Sequence, residues 1–150
     1  MTMKVLLVDD DPSVVAALGA ALISEGYDVI QAFNGREAIR HFYTHPDIAI
    51  VLLDLCMPVK GGWDTFERIT GINPLLPIII ITARSDQYSL ADAVGVGALI
   101  EKPLDVQALL ETMQKLLAEP PEKRLARIAG KKNPHAIQPG TSNEGSATAL

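Results

Sequence analysis

The chain has 150 residues, of which 48% are hydrophobic and 21% are charged, a composition typical of one globular domain. The formal net charge of −5 argues against nucleic-acid binding by this chain, and the single cysteine excludes an intrachain disulfide. Its apolar stretches are far shorter than the ~20 residues that a membrane helix needs, and no secretory signal is visible. We therefore expect a cytoplasmic protein that does not associate with membranes.

Short apolar runs alternate with helical patterns along the chain. The first of these runs ends at three aspartates, and Asp11 followed by Pro12 is a typical helix start, with Gly26 as its stop. The pattern predicts strands over 4–8, 28–32, 48–53, 77–82 and 98–100. It predicts helices over 12–25, 36–43, 63–69, 86–94 and 105–117, the last capped by Asp105.

The predicted strands are continuously apolar, which is typical of parallel strands covered by helices on both faces. Five successive βα units indicate an α/β protein with a doubly wound sheet. Such a sheet places its binding crevice at the carboxyl ends of the strands. The residues that end each strand are therefore the candidates for function.

The composition changes after residue 118. The first 118 residues carry a net charge of −7, whereas the last 32 carry +2 and hold four of the ten prolines. We expect a folded domain over 1–118 and a mostly flexible tail or linker over 119–150, with a short helix at 122–129. The tail is too short to fold as an effector domain. The chain is then either a stand-alone domain or the first part of a longer protein.

Polar residues gather where the predicted strands end. Asp9 and Asp10 follow the first strand, Asp54 the third, Thr82 ends the fourth and Lys102 follows the fifth. Grouped carboxylates repel one another, and Mg²⁺ removes that cost while it polarises a phosphoryl group. A carboxylate beside the metal can then be the nucleophile, and Asp54 is best placed for that role. Taken singly, each residue could serve as a turn former, a helix cap or a surface side chain.

At these residues the chain resembles the receiver domain of two-component response regulators, over about residues 4–118. Each motif alone is weak, but their order and their place on the strand pattern are specific. The segments that carry the resemblance are Val5–Asp11, Leu53–Pro58 with Gly61-Gly62, Ile81–Ala83 and Glu101–Pro103. The resemblance implies a flavodoxin-like three-layer sandwich of five βα units, with a parallel sheet of strand order 2-1-3-4-5.

The resemblance also implies a role for each site residue. Asp54 would accept a phosphoryl group from a sensor histidine kinase or a histidine phosphotransfer protein. Mg²⁺ would be held by Asp10, Asp54 and the backbone carbonyl of Cys56, with Asp9 acting through water. Thr82 and Lys102 would bind the phosphoryl oxygens, and the Lys102–Pro103 peptide bond would be cis.

Phosphorylation in this family changes partner binding through a switch. The resemblance implies that Thr82 moves inward and alters the face of the predicted fourth helix, fifth strand and fifth helix. The second switch position is often aromatic or histidine in the family, and here it is Leu99. The expected partners are the kinase and a downstream protein, and the chain would be a monomer or a phosphorylation-dependent homodimer. It would be a signalling phosphoacceptor and not a metabolic enzyme.

Two other interpretations stay open at this point. A small haloacid-dehalogenase-type phosphatase would use Asp9 as the nucleophile and Asp11 as the general acid, but it leaves Asp54 without a role. A pseudo-receiver would bind partners without being phosphorylated, and the full acidic set argues against it. Flavin binding of the flavodoxin type fails, because three carboxylates stand where a phosphate would have to bind.

Overall fold

The computed structural model describes residues 2–55, 61–83 and 97–130, in which strands and helices alternate. The strands are β1 (Lys4–Val8), β2 (Asp28–Ala32), β3 (Ile48–Asp54), β4 (Ile78–Thr82) and β5 (Ala98–Glu101). The helices are α1 (Pro12–Ser24), α2 (Gly35–Thr44), α3 (Gly62–Ile72), α4 (Val106–Ala118) and α5 (Pro121–Gly130). The helix predicted over 86–94 lies outside the described residues, so α4 is here the helix predicted over 105–117.

All five described strands are parallel, in the order β2-β1-β3-β4-β5. This order confirms the predicted doubly wound, flavodoxin-like α/β fold. The register pairs Val8 with Leu53 and Asp54 with Ile81, so neighbouring strands end almost level. Residues that follow β1, β3, β4 and β5 consequently meet at one edge of the sheet.

Alternate strand residues enter two core layers, one on each face of the sheet. On one face α1 and α4 bury Val15, Leu18, Leu22, Leu109 and Met113 against Leu7, Leu52 and Ile79. On the other face α2 and α3 bury Ala38, Ile39, Phe66 and Ile69 against Leu6, Val51, Leu53 and Ile80. Burial on both faces explains why the strands are continuously apolar.

The helix starts follow the capping signals in the sequence. The Asp11 side chain accepts a hydrogen bond from the Ser13 N–H, and Pro12 occupies the first turn of α1. The Asp105 side chain accepts one from the Ala108 N–H at the start of α4. Gly26, which follows α1, has a φ of +95°, a conformation that residues with a side chain rarely adopt.

The bounds of α3 differ from the prediction, since this helix extends to Ile72 and not to residue 69. Beyond α4, helix α5 contacts the domain through Arg124 and Arg127. The division of the chain after residue 118 stays a prediction, although residues 119–130 are packed on the part before it. No helix within the described ranges combines the length and the apolar character that a membrane crossing requires.

Candidate functional site

Three carboxylates come together at the carboxyl edge of the sheet. Asp9 follows β1 directly, Asp10 is next to it, and Asp54 is the last residue of β3. Each offers an oxygen atom within 4.8 Å of the oxygens of the other two. Asp9 and Asp54 are only 3% and 2% exposed, whereas Asp10 is exposed. The cluster therefore combines two buried acids with one that faces solvent.

Lys102 supplies positive charge beside the two buried acids. Its Nζ lies 3.5 Å from Asp54 Oδ2 and 3.8 Å from Asp9 Oδ2. The Lys102 backbone N–H donates a 2.8 Å hydrogen bond to the carbonyl oxygen of Thr82, so the end of β5 is fixed to the end of β4. The Lys102–Pro103 bond is cis, as the resemblance predicted.

Burial raises the pKa of the Asp9 carboxyl from 3.8 to about 6. The negative charge of Asp54 contributes to this rise, whereas the hydrogen bond from the Asp11 N–H, 3.0 Å long, and the Lys102 ammonium oppose it. Ionised Asp9 is thus held at a cost in free energy. A site of this kind favours a ligand that brings additional positive charge.

Gly62 brings the start of α3 against the chain that carries Asp54. A Cβ atom on Gly62 would lie 2.4 Å from Leu55 Cα and 2.9 Å from the carbonyl oxygen of Asp54. At Gly61, by contrast, no atom of the described residues lies within 4 Å of such a position. Close packing of backbone on backbone at Gly62 therefore supports the position of Asp54, a role that the sequence motif alone does not reveal.

The remaining predicted site residues occupy different environments. Thr82 is fully buried at the end of β4. Leu99 is half-buried on β5 and packs against the core layer of α2 and α3. Cys56 lies outside the described residues. The structure thus brings the carboxylates of Asp9, Asp10 and Asp54 together at the strand ends and places the Lys102 ammonium beside Asp9 and Asp54. The functional roles of these residues stay predictions.

The structure contains a second polar cluster that the sequence analysis did not predict. It consists of Glu119, Arg124 and Arg127, at the opposite edge of the sheet. The surrounding prolines and charges are equally typical of a linker, and the contacts of Arg124 with residues distant in the chain have no local sequence signal.

The fold and the site together define the class of this protein: an α/β domain with a doubly wound parallel sheet, two buried acids and a lysine at the carboxyl edge of that sheet. Residues 5–114 match the family model described as response regulator receiver domain. The chain belongs to the response regulator receiver domain family. This membership confirms the resemblance and argues against the phosphatase interpretation.

Curated relatives share this domain within longer proteins. The chain is 37% identical over 119 residues to the transcriptional regulatory protein GlrR of Escherichia coli, covering 76% of this chain and 26% of GlrR. It is 30% identical over 143 residues to the transcriptional regulatory protein DltR of Streptococcus agalactiae, covering 91% of this chain and 63% of DltR. The chain thus spans about a quarter of the length of GlrR.

Solved structures match the fold over nearly their whole length. A receiver domain protein from Methanospirillum hungatei has a TM-score of 0.74 at 26% identity, covering 82% of this chain and 98% of that one. The response regulator TrrA of Thermotoga maritima, in complex with Mg²⁺-BeF, has a TM-score of 0.71 at 30% identity. That match covers 77% of this chain and 99% of TrrA.

Proposed function

We propose that the chain accepts a phosphoryl group on Asp54 from the phosphohistidine of a sensor histidine kinase or a phosphotransfer protein. One observation carries the proposal: oxygens of Asp9, Asp10 and Asp54 lie within 4.8 Å of one another, with the Lys102 ammonium 3.5 Å from Asp54. Carboxylates beside one mobile cation form a site for a phosphoryl group and its metal.

The donor set fits Mg²⁺. Carboxylate oxygens are hard ligands, and the raised pKa of Asp9 indicates that the site favours added positive charge. Asp10, Asp54 and the backbone carbonyl of Cys56 would hold the ion, with Asp9 contacting it through water. When bound, Mg²⁺ would supply charge neutralisation between the attacking carboxylate and the phosphoryl oxygens.

For transfer of the phosphoryl group, the protein has to position the reacting atoms and stabilise their charge. A carboxylate oxygen of Asp54 forms a bond to phosphorus while the phosphorus–nitrogen bond of the donor breaks, and the imidazole leaves with the electron pair. Lys102 then moves its ammonium from the carboxylate towards a phosphoryl oxygen. The Thr82 hydroxyl donates a hydrogen bond to another oxygen of the same group.

The output is a change in partner binding. Thr82 and Leu99 would report phosphorylation to the face formed by the predicted helix over 86–94, β5 and α4. A downstream protein, or a second copy of the chain, would bind there. GlrR and DltR are named as transcriptional regulatory proteins, which supports a signalling role for this chain over a metabolic one.

Intact mass spectrometry after incubation with acetyl phosphate and Mg²⁺ tests the proposal. We expect one phosphoryl adduct on the wild type and none on Asp54→Asn or in the presence of EDTA. Asp11→Asn is the matched control, because Asp11 is exposed and asparagine also caps a helix. An adduct that survives Asp54→Asn would refute the assignment. A wild type that is never modified would indicate a pseudo-receiver.

A further inference from the structure

The most informative feature outside the acidic site is the way in which α5 is attached to the domain. The Glu119 carboxylate lies 2.6 Å from Arg127 Nη1 and 3.5 Å from Arg124 Nε. These three side chains are between 15% and 28% exposed. We call Glu119, Arg124 and Arg127 the polar clamp.

Arg124 joins three parts of the fold. Its Nη1 donates a 3.3 Å hydrogen bond to the carbonyl oxygen of Leu75, in the loop that precedes β4, and its Nη2 donates a 2.6 Å bond to the carbonyl oxygen of Leu116. Leu116 is in the last turn of α4, where the helix dipole favours a cation, and its carbonyl oxygen also accepts the Glu119 N–H at 3.2 Å. The guanidinium therefore holds α5 against the edge of the sheet opposite Asp54.

This attachment is polar and imperfectly packed. Glu119 Oε1, Arg124 Nε and Arg127 Nε are buried without a hydrogen-bond partner among the described residues. A cavity of about 20 Å³ lies beside them, lined by Arg124, Arg127 and apolar side chains that include Phe66 and Leu76. On the outer side of α5, Leu125 is 56% exposed. Glu119 Oε1 and Arg124 Nε are 3.5 Å apart, an ion pair without a hydrogen bond, and such long polar contacts beside a cavity weaken docking.

We propose that α5, residues 121–130, is a detachable strap that occupies its own docking cleft on the receiver, held by contacts with Glu119 at the end of α4 and with the carbonyl oxygens of Leu75 and Leu116. The cleft is the surface between α3, the loop before β4 and the end of α4, and Arg124 is its positioning residue. In the docked state α5 lies at the edge of the sheet opposite the acidic site and covers the surface that includes Phe66 and Leu76. In the released state this surface is uncovered.

The strap is expected to open without unfolding of the sheet. Among the side chains of α5 that the structure describes, Arg124 and Arg127 attach it through a few charged contacts, whereas β1, β3 and β4 are held by fully buried apolar side chains. Elements attached in this way exchange their amides through local opening, at a free-energy cost below that of global unfolding. The proposal does not depend on phosphorylation, so its failure would leave the proposed function untouched.

Amide hydrogen exchange of the full chain, read by mass spectrometry, tests the strap. We expect the 121–130 amides to be protected relative to an isolated peptide of residues 119–130, yet to exchange much faster than those of β3. Arg124→Lys keeps the charge but cannot bridge both carbonyls, so it should speed exchange in 121–130 by about tenfold and leave β3 unchanged. Lys123→Arg, on an exposed position of the same helix, is the matched control and should change nothing.

Three results would overturn the proposal. Exchange of 121–130 at the peptide rate would mean that the helix does not dock. Exchange at the rate of β3 would mean that it opens only with the whole domain. Equal rates in Arg124→Lys and the wild type would remove Arg124 from the attachment.

Discussion

Replacing Asp9 by asparagine should stabilise the metal-free protein, although it alters the acidic site. Asp9 is buried close to Asp54, and its pKa rises from 3.8 to about 6 on folding. At 1.36 kcal/mol per pH unit, this rise corresponds to about 3 kcal/mol lost by the folded state when Asp9 ionises. Asparagine mimics the protonated acid, since its amide oxygen can still accept the Asp11 N–H bond.

The expected gain in the free energy of unfolding is smaller than this upper limit of about 3 kcal/mol. In the variant Lys102 loses one of its two carboxylate neighbours, and this loss offsets part of the stabilisation. We expect a gain of about 1–2 kcal/mol in the free energy of unfolding at pH 7.5. A group with a raised pKa contributes its full stability below pH 4 and loses it as pH rises to about 6. The difference between variant and wild type should therefore be near zero at pH 4 and reach its maximum above pH 6.

Urea unfolding followed by the fluorescence of Trp63, in EDTA and at several pH values, measures this difference. Asp10→Asn is the control, because Asp10 is exposed and its charge stays hydrated, so its gain should be less than half as large. Mg²⁺ should reduce the difference in the free energy of unfolding between Asp9→Asn and the wild type, since the ion neutralises the same carboxylates. The reasoning would be refuted if Asp9→Asn were less stable than the wild type at pH 7.5. It would also be refuted if the gain in the free energy of unfolding were as large at pH 4 as at pH 7.5.

Two further changes probe how the site and its surroundings are built. Gly62→Ala should lower the free energy of unfolding by at least about 2 kcal/mol and shift the midpoint of urea unfolding, because its Cβ would clash with the backbone of Asp54 and Leu55. Gly61→Ala, the matched control, should be nearly neutral. Asn34→Ala should cost about 1 kcal/mol in the same assay, because Asn34 Oδ1 accepts the Glu37 N–H at the start of α2. Equal midpoints for the two glycine variants, or an unchanged midpoint for Asn34→Ala, would contradict these expectations.

Most of the acidic site was predictable because it follows from the topology of the sheet. Parallel strands with level ends bring the residues after them to one edge, so Asp9, Asp54, Thr82 and Lys102 could be grouped from strand ends alone. What the sequence does not contain is the depth of burial. Asp9 and Asp10 are adjacent and chemically identical, yet Asp9 is buried and Asp10 is exposed. Burial raises the pKa of Asp9 to about 6.

Two differences from prediction have separate causes. Helix α3 continues past residue 69 to Ile72, and the Thr70 hydroxyl donates hydrogen bonds to the carbonyl oxygens of Phe66 and Glu67 in its last turns. Because Gly71 and Ile72 are exposed, this extension is local and does not depend on packing against distant residues. Arg124, in contrast, bonds a carbonyl 49 residues earlier in the chain, a contact that no local pattern could have indicated.

The geometry of Lys102 explains why a lysine suits this position. Its contacts with Asp54 and Asp9, at 3.5 and 3.8 Å, are much longer than the 2.7 Å pair of Lys4 with Asp47 on the surface. An arginine would hold a carboxylate with two fixed hydrogen bonds, whereas an ammonium on a flexible stem can turn to a new oxygen. The backbone of Lys102 is fixed by its bond to Thr82, so only the side chain has to move. The same residue can therefore reduce the repulsion between the two carboxylates, and under the proposed function it would also bind a phosphoryl oxygen once Asp54 carries one.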